Sequence, residues 1–506
     1  MAYRTIERAM RPCFTALIPL LAALPLAAQS IATPWMSYGH DAQHSGVSSV
    51  AAQAFNRIKW STPVDTVLQN SSGELLIHYG SPMVTAANTV IIPVRTSVNN
   101  TYQLNVVNGA NGSLKYTLLS DWTPAPHDWI PPYSAALTVR NRLYYAGAGG
   151  TVYYRDQPDS SSGPSGQIAF YGTANYNANP SAFNSAVIIS TPMVSDRYGD
   201  VFFGYTVTGS NPSNLVSGIA KIDYNGNGTF ITATAASGGD ASIAKVPLNC
   251  TPALSIDNFT LYFAVADYNG HGYLVSIDSR NLAPLTHVRL KDPEFGSDAT
   301  LLDDSSASPT VGPDGDVYYG VFETTCCTNH DRGWLLHFSK TLSGSKTPGA
   351  FGWDDTASIV SSKLVSSYHG ASSYLLFTKY NNYKSTGGDG LNKIAILDPN
   401  ATETDPITGV TVMNEVMTVL GQTADGPPSG AVREWCINSG AVDPLTHSVI
   451  ANSEDGVLYR WDLFSGNLTQ TIRLTPGVGE AYTPTVIGVD GTVYAINDAV
   501  LFAVGQ

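Results

Sequence analysis

One repeat constrains this chain more than any other feature: a Ser/Thr-Pro dipeptide runs into a short apolar strand, then an Asp-Gly-type turn, then an aromatic-rich strand. Clear copies begin at Ser81-Pro82-Met83-Val84, Thr191-Pro192-Met193-Val194, Thr251-Pro252-Ala253-Leu254, Ser308-Pro309-Thr310-Val311 and Thr483-Pro484-Thr485-Val486. Their prolines lie 110, 60, 57 and 175 residues apart, close to two, one, one and three units of one length. Three degenerate copies are therefore expected, around Tyr133-Ser134-Ala135-Ala136-Leu137, Gly370-Ala371-Ser372-Ser373 and Asn438-Ser439-Gly440-Ala441-Val442. Each copy holds several short strands and no helical period. Such units bury their faces only by stacking on their neighbours. The expected architecture is all-β: an eight-bladed β-propeller of four-stranded antiparallel blades.

The chain ends provide a second line of argument. Strands are expected over 485–488, 492–496 and 500–504, after which the chain stops, so the last blade lacks its outer strand. Phe55-Asn56-Arg57-Ile58-Lys59-Trp60-Ser61 alternates apolar and polar residues and precedes the first full repeat. This N-terminal strand is expected to complete the last blade, bury Trp60 and remove exposed sheet edges.

At 506 residues the length alone suggests about three domains, but one period runs through most of the chain and argues for a single ring over 31–506. The net charge of −14 disfavours nucleic acid as a partner, because no basic surface offsets it. Arg4, Arg8 and Arg11 precede an apolar stretch over 14–28 and then small residues, which reads as a signal peptide over 1–30. A periplasmic or extracellular monomer is expected. No later segment approaches about 18 uninterrupted apolar residues, so no membrane span is expected.

The segment Pro34-Trp35-Met36-Ser37-Tyr38-Gly39-His40-Asp41-Ala42-Gln43-His44-Ser45-Gly46 resembles the entry segment of exported proteins with PQQ-like (quinoprotein alcohol dehydrogenase-like) propeller repeats. Gly456-Val457-Leu458-Tyr459-Arg460-Trp461-Asp462-Leu463-Phe464-Ser465-Gly466 is similar to that family's repeat core. The resemblance covers nearly all of 31–506 and implies the propeller fold. It leaves function open, since the same fold serves quinone-dependent dehydrogenases and cofactor-free binding and assembly proteins. The dehydrogenase repeat usually ends in a Trp that docks one blade on the next, whereas here the corresponding stretches read Asn111-Gly112-Ser113-Leu114-Lys115-Tyr116 and Gly466-Asn467-Leu468-Thr469-Gln470. That departure favours the cofactor-free branch.

Propeller topology converts repeat position into geometry. Connections entering innermost strands share one face, the top, with the loops between second and third strands. The residues just before each innermost strand are His78 and Tyr79, Asp128 and Trp129, and Cys250 in the first half of the ring. Tyr368 and His369, Glu434, Trp435 and Cys436, and Glu480 and Tyr482 follow in the second half. Aromatic, imidazole and carboxylate groups converging on a concave mouth suit a small molecule or a protein segment. The same residues could equally wedge between blades and bond loop amides.

Cys326-Cys327-Thr328-Asn329-His330-Asp331-Arg332-Gly333 is the sharpest local motif. In PQQ-dependent alcohol dehydrogenases a vicinal disulfide lies against the quinone, and an Arg-Gly four residues on brings a cation to it. By that resemblance Cys326, Cys327 and Arg332 would contact PQQ, with Trp435 beside it. Asp331 and Glu434 are then the candidate catalytic carboxylates, with Glu434, Asn438 and Asp331 suited to calcium. Here, however, the pair follows a second strand and leads into a third, not into an innermost one. The cysteine pairing stays open between a Cys326–Cys327 bridge and a bridge from Cys250, with Cys436 farther round the ring. The absence of Cys-x2-Cys disfavours a zinc site. The sequence therefore points first to an exported binding or scaffold propeller with no metal or cofactor. The alternative is a PQQ- and calcium-dependent alcohol or sugar dehydrogenase.

Overall fold

A computed structural model of the chain describes Met1 and residues 33–68, 75–133, 135–477 and 484–506. The expected signal peptide lies outside the described residues apart from Met1, as do Glu480 and Tyr482. The described chain forms eight antiparallel sheets in sequence order, which are the eight blades. Blade 1, for instance, comprises Met83–Val84, Thr89–Arg95, Tyr102–Asn108 and Leu114–Leu119. Innermost strands are very short and buried, while outermost strands such as Leu468–Arg473 alternate towards solvent. Middle strands such as Tyr374–Tyr380 are buried throughout, because both faces pack on neighbouring blades. Each fully buried Val, Leu or Phe there contributes about 1.5–3 kcal/mol.

The repeated Ser/Thr-Pro lies at the entry to the innermost strands. Proline brings no N–H to the crowded inner ring, and in blades 5 and 6 the hydroxyl at the Ser/Thr position links to the neighbouring blade. Ser308 Oγ accepts from the Thr251 N–H at 3.0 Å, and Thr356 Oγ1 accepts from the Ser308 N–H at 3.0 Å. Adjacent innermost strands are thereby stitched together at the axis.

Two blades depart from four regular strands. Blade 3 has five, because Val187–Ile189 and Val194–Ser195 both pair with Val201–Val207. Blade 5 has three, and its outer edge is made by isolated bridges from Ser345 to Phe338 and from Gly349 to Leu335. Pro348 interrupts that edge, since it cannot continue a ladder.

The ring closes as the alternation of 55–61 implies. Arg57–Pro63 runs antiparallel to Val500–Gly505 and completes blade 8. Trp60 is half-buried rather than buried. Its indole lies against Gly112, where a β-carbon would sit 2.7 Å away, and donates to the Gly109 carbonyl at 2.9 Å. The ring therefore covers the turn of blade 1 instead of entering the core.

The entry segment does something its sequence alone did not reveal: it winds around the axis along the free edges of the innermost strands. Trp35 and Val84 of blade 1 exchange two backbone bonds of 3.0 Å, and Leu137 of blade 2 donates to Met36 at 2.7 Å. Leu254, Val311, Ile359 and Val442, from blades 4 to 7, donate to the carbonyls of Ala42, Gln43, Ser45 and Gly46 at 2.7–3.0 Å. Edge groups that would otherwise face the channel are thus satisfied. Gly46 sits at φ +67°, and a β-carbon on it would lie 2.8 Å from the Gly440 carbonyl oxygen. His44 is buried with Nδ1 2.7 Å from the Pro309 carbonyl oxygen, and burial pushes its pKa down to about 4.

One strand assignment is corrected. The innermost strand of blade 6 is Ser358–Ser361, not the stretch around Gly370–Ser373, and Tyr374–Tyr380 is its second strand. Thr356-Ala357 takes the place of Ser/Thr-Pro there. Tyr368 and His369 consequently lie in the connection between the first and second strands, on the face opposite the top.

Candidate functional site

The top face carries a cavity of about 360 Å³ over blades 5 to 7. Every wall but Lys379 comes from a connection of the kind that topology assigns to this face. The link into blade 5 supplies Asp304, and the link between its second and third strands supplies Asp331. Blade 6 adds Trp353 and Asp354 before its innermost strand, Lys379 at the end of Tyr374–Tyr380, and Tyr383 just beyond. Glu434, Cys436 and Glu454 come from blade 7, and Trp129 reaches over from the link into blade 2.

These side chains are held by specific bonds. Asp304 Oδ1 accepts from the Trp129 N–H at 3.1 Å, and its carbonyl accepts from His78 Nε2 at 2.7 Å. His78 is buried, its ring 5.6 Å from that of Trp129. Asp354 Oδ1 accepts from both the N–H and the hydroxyl of Ser306, at 2.7 and 2.6 Å. Its Oδ2 lies 3.6 Å from Lys379 Nζ. Next to it Asp355 is fully buried, bonded to the Thr378 hydroxyl, and burial pushes its carboxyl up to about 7. Burial also raises the pKa values of Asp304, Asp331 and Glu454.

Glu434, Cys436 and Glu454 form the tightest polar group. Cys436 Sγ lies 3.9 Å from a Glu434 carboxylate oxygen and 3.8 Å from one of Glu454, and their ligand-type atoms fall within 4.8 Å of one another. Two carboxylates and a thiol at that spacing are of a type that can hold a metal ion.

The Cys326–Cys327 pair is a disulfide, while Cys250 and Cys436 are free and buried. Of the two open pairings, the adjacent one is therefore present. All four cysteines lie in top-face connections, and Cys326 Sγ is 3.7 Å from Asp331 Oδ1. Glu323 anchors this loop by accepting from the Asn329 N–H at 3.0 Å, and burial raises its pKa to about 7.

Four sequence candidates are placed differently from expectation. Arg332 turns away from the cavity. Its guanidinium donates to both oxygens of Asp405, at 3.1 and 2.8 Å, and to Asn329, with almost no exposure. Trp435 is fully buried below the face, its backbone clamped by Asn381 and its ring edge-on to Tyr459 at 5.2 Å. Tyr368 donates to Asp398 at 2.6 Å on the opposite face, where His369 is exposed.

Solved structures with the same architecture include the quinohemoprotein alcohol dehydrogenase from Comamonas testosteroni. It is 11% identical, with 95% of this chain and 78% of that one aligned, and a TM-score of 0.50. A quinohemoprotein alcohol dehydrogenase from Pseudomonas putida gives 12% identity, 94% and 76% coverage, and a TM-score of 0.50. The chain has the propeller fold of the quinoprotein alcohol dehydrogenases. Sqt1 from Saccharomyces cerevisiae is just as similar, at 10% identity, 90% and 100% coverage, and a TM-score of 0.52. The fold is therefore common to proteins of different kinds. No protein-family model and no curated protein sequence matches the chain.

Two of the residues that the resemblance implies for PQQ are engaged elsewhere. That quinone carries three carboxylates, and the arginine implied by the resemblance is bound to Asp405. The implied tryptophan is inside the core. The cavity itself presents five carboxylates, Asp304, Asp331, Asp354, Glu434 and Glu454, against the single ammonium of Lys379.

Proposed function

We propose that this protein is an exported propeller that binds a small ligand, or a side chain presented by a partner, in the top-face cavity over blades 5 to 7, without quinone chemistry. The observation that carries this reading is the commitment of Arg332 to Asp405 together with the acidic lining of the cavity. Trp129, Trp353 and Tyr383 supply apolar contact area, and the polar groups come from separate connections anchored to rigid blades. Export rests on the arginines and apolar stretch at the start of the sequence. Among the described residues no helix is long and apolar enough to cross a membrane.

Titrating the purified, oxidised protein with PQQ and calcium tests the choice. No quinone absorbance is expected to remain with the protein after gel filtration, and no dye reduction is expected with alcohols or aldoses. Stoichiometric quinone retention with dye reduction would replace this reading with the dehydrogenase, and Asp331 and Glu434 would be the first residues to substitute.

A further inference from the structure

We propose that the ligand of this cavity is an organic cation, an alkylammonium or quaternary ammonium group. The inference rests on the binding-propeller reading and names its ligand class. Three aromatic rings, Trp129, Trp353 and Tyr383, wall the space, and five carboxylates share it with one lysine ammonium. That lysine faces Asp354 at 3.6 Å and Arg433 lies 3.8 Å from Glu454, so two of the five carboxylates already face a cation and the lining still carries more carboxylates than cations. Aromatic faces and carboxylates attract the same kind of group: a ring quadrupole favours a cation over its face, and it does so more strongly where water is excluded. A neutral sugar would gain the stacking and some hydrogen bonds but would leave the charge excess uncompensated.

Room exists for what carries the cation. Leu302 and Asp304 are shared with a shallower groove of about 470 Å³ that runs out past Asp128 to Tyr268, which is 79% exposed. An ammonium head placed among Asp354, Glu434 and Glu454 would leave its tail along Trp129 towards that groove.

The test is calorimetric titration of the oxidised full chain with choline and with n-butylamine, alongside their neutral isosteres 3,3-dimethylbutan-1-ol and n-pentane. PQQ with calcium serves as a separate arm. At least one cation is expected to bind, with affinity falling about five-fold or more as NaCl rises from about 50 to about 500 mM. Trp353→Ala and Glu434→Gln are each expected to weaken it about five-fold or more while melting within a few degrees of the parent. Isosteres binding as well as the cations would overturn the cation inference and leave the ligand-binding reading standing. Absence of binding by all four probes to a correctly melting protein would overturn the inference as well. Retention of PQQ would instead overturn the reading beneath it.

Discussion

Arg332 and Asp405 form a bidentate pair across the interface of blades 5 and 6, with both side chains at most 3% exposed. A motif that in sequence resembles a cofactor contact here fastens two blades. Breaking such a pair leaves one charge buried without its partner, which costs about 3–5 kcal/mol. Arg332→Ala is therefore expected to lower the denaturant midpoint by that equivalent at constant slope. Arg332→Met with Asp405→Leu should lose much less than the sum of the single changes. A Arg332→Ala protein as stable as the parent would contradict the structural role.

The closing strand makes a second expectation. Arg57–Pro63 covers the edge of Val500–Gly505 and carries the Trp60 contact to blade 1. Deleting residues 50–66 should lower the melting temperature by about 10 °C or more and expose a sheet edge that promotes association. Differential scanning calorimetry with light scattering checks both. A truncated protein that melts like the intact one would mean that the ring is held shut elsewhere.

Much of this arrangement was legible in the sequence, and the reason is physical. Ser/Thr-Pro marks the start of an innermost strand, so five of the eight blades could be placed from clear copies and blades 2 and 7 from the spacing between them. Blade 6 was misread because alanine fills the proline position at Thr356-Ala357, which keeps the hydroxyl and drops the signal. That slip moved Tyr368 and His369 to the wrong face and hid Trp353 and Asp354. Lys379, Tyr383 and Glu454 were findable in principle, since the connections between second and third strands share the top face. The burial of Trp435 and the direction of Arg332 depend on side-chain partners far away in sequence, which no repeat encodes.

Asp355 gives a pH dependence with a definite sign. Burial holds its folded-state pKa at about 7, above the usual carboxylate value of 3.8. The folded protein therefore binds more protons than the unfolded chain between about 4 and 7, and this residue's contribution is lost as pH rises through that window. Relative to Asp355→Asn, the parent should be more stable at pH 4 than at pH 8 by a few kcal/mol. Parallel unfolding curves for the two proteins across that range would exclude the shifted carboxyl.

Gly46 provides a local test of the axial segment. Its φ of +67° and the 2.8 Å approach to the Gly440 carbonyl leave no space for a β-carbon. Gly46→Ala should cost about 2 kcal/mol or more, whereas alanine at Gly409, where nothing lies within 4 Å, should cost only its left-handed backbone strain of about 1 kcal/mol. Equilibrium unfolding of the two variants side by side distinguishes steric from backbone effects.

The winding of residues 35–48 along the inner edges also fixes an order of events. The segment that precedes blade 1 bonds to Val442 of blade 7, and the Ala52 N–H reaches the Asp443 carboxylate 391 residues away. Its partners on blades 1 and 2 follow it closely in the sequence, but those on blade 7 follow it by almost 400 residues, so that end of the segment stays unsatisfied until blade 7 has formed. Contacts of such sequence separation are slow to form. The last bond of the clasp thus waits for blade 7, and a chain halted before it holds a clasp fastened at one end only.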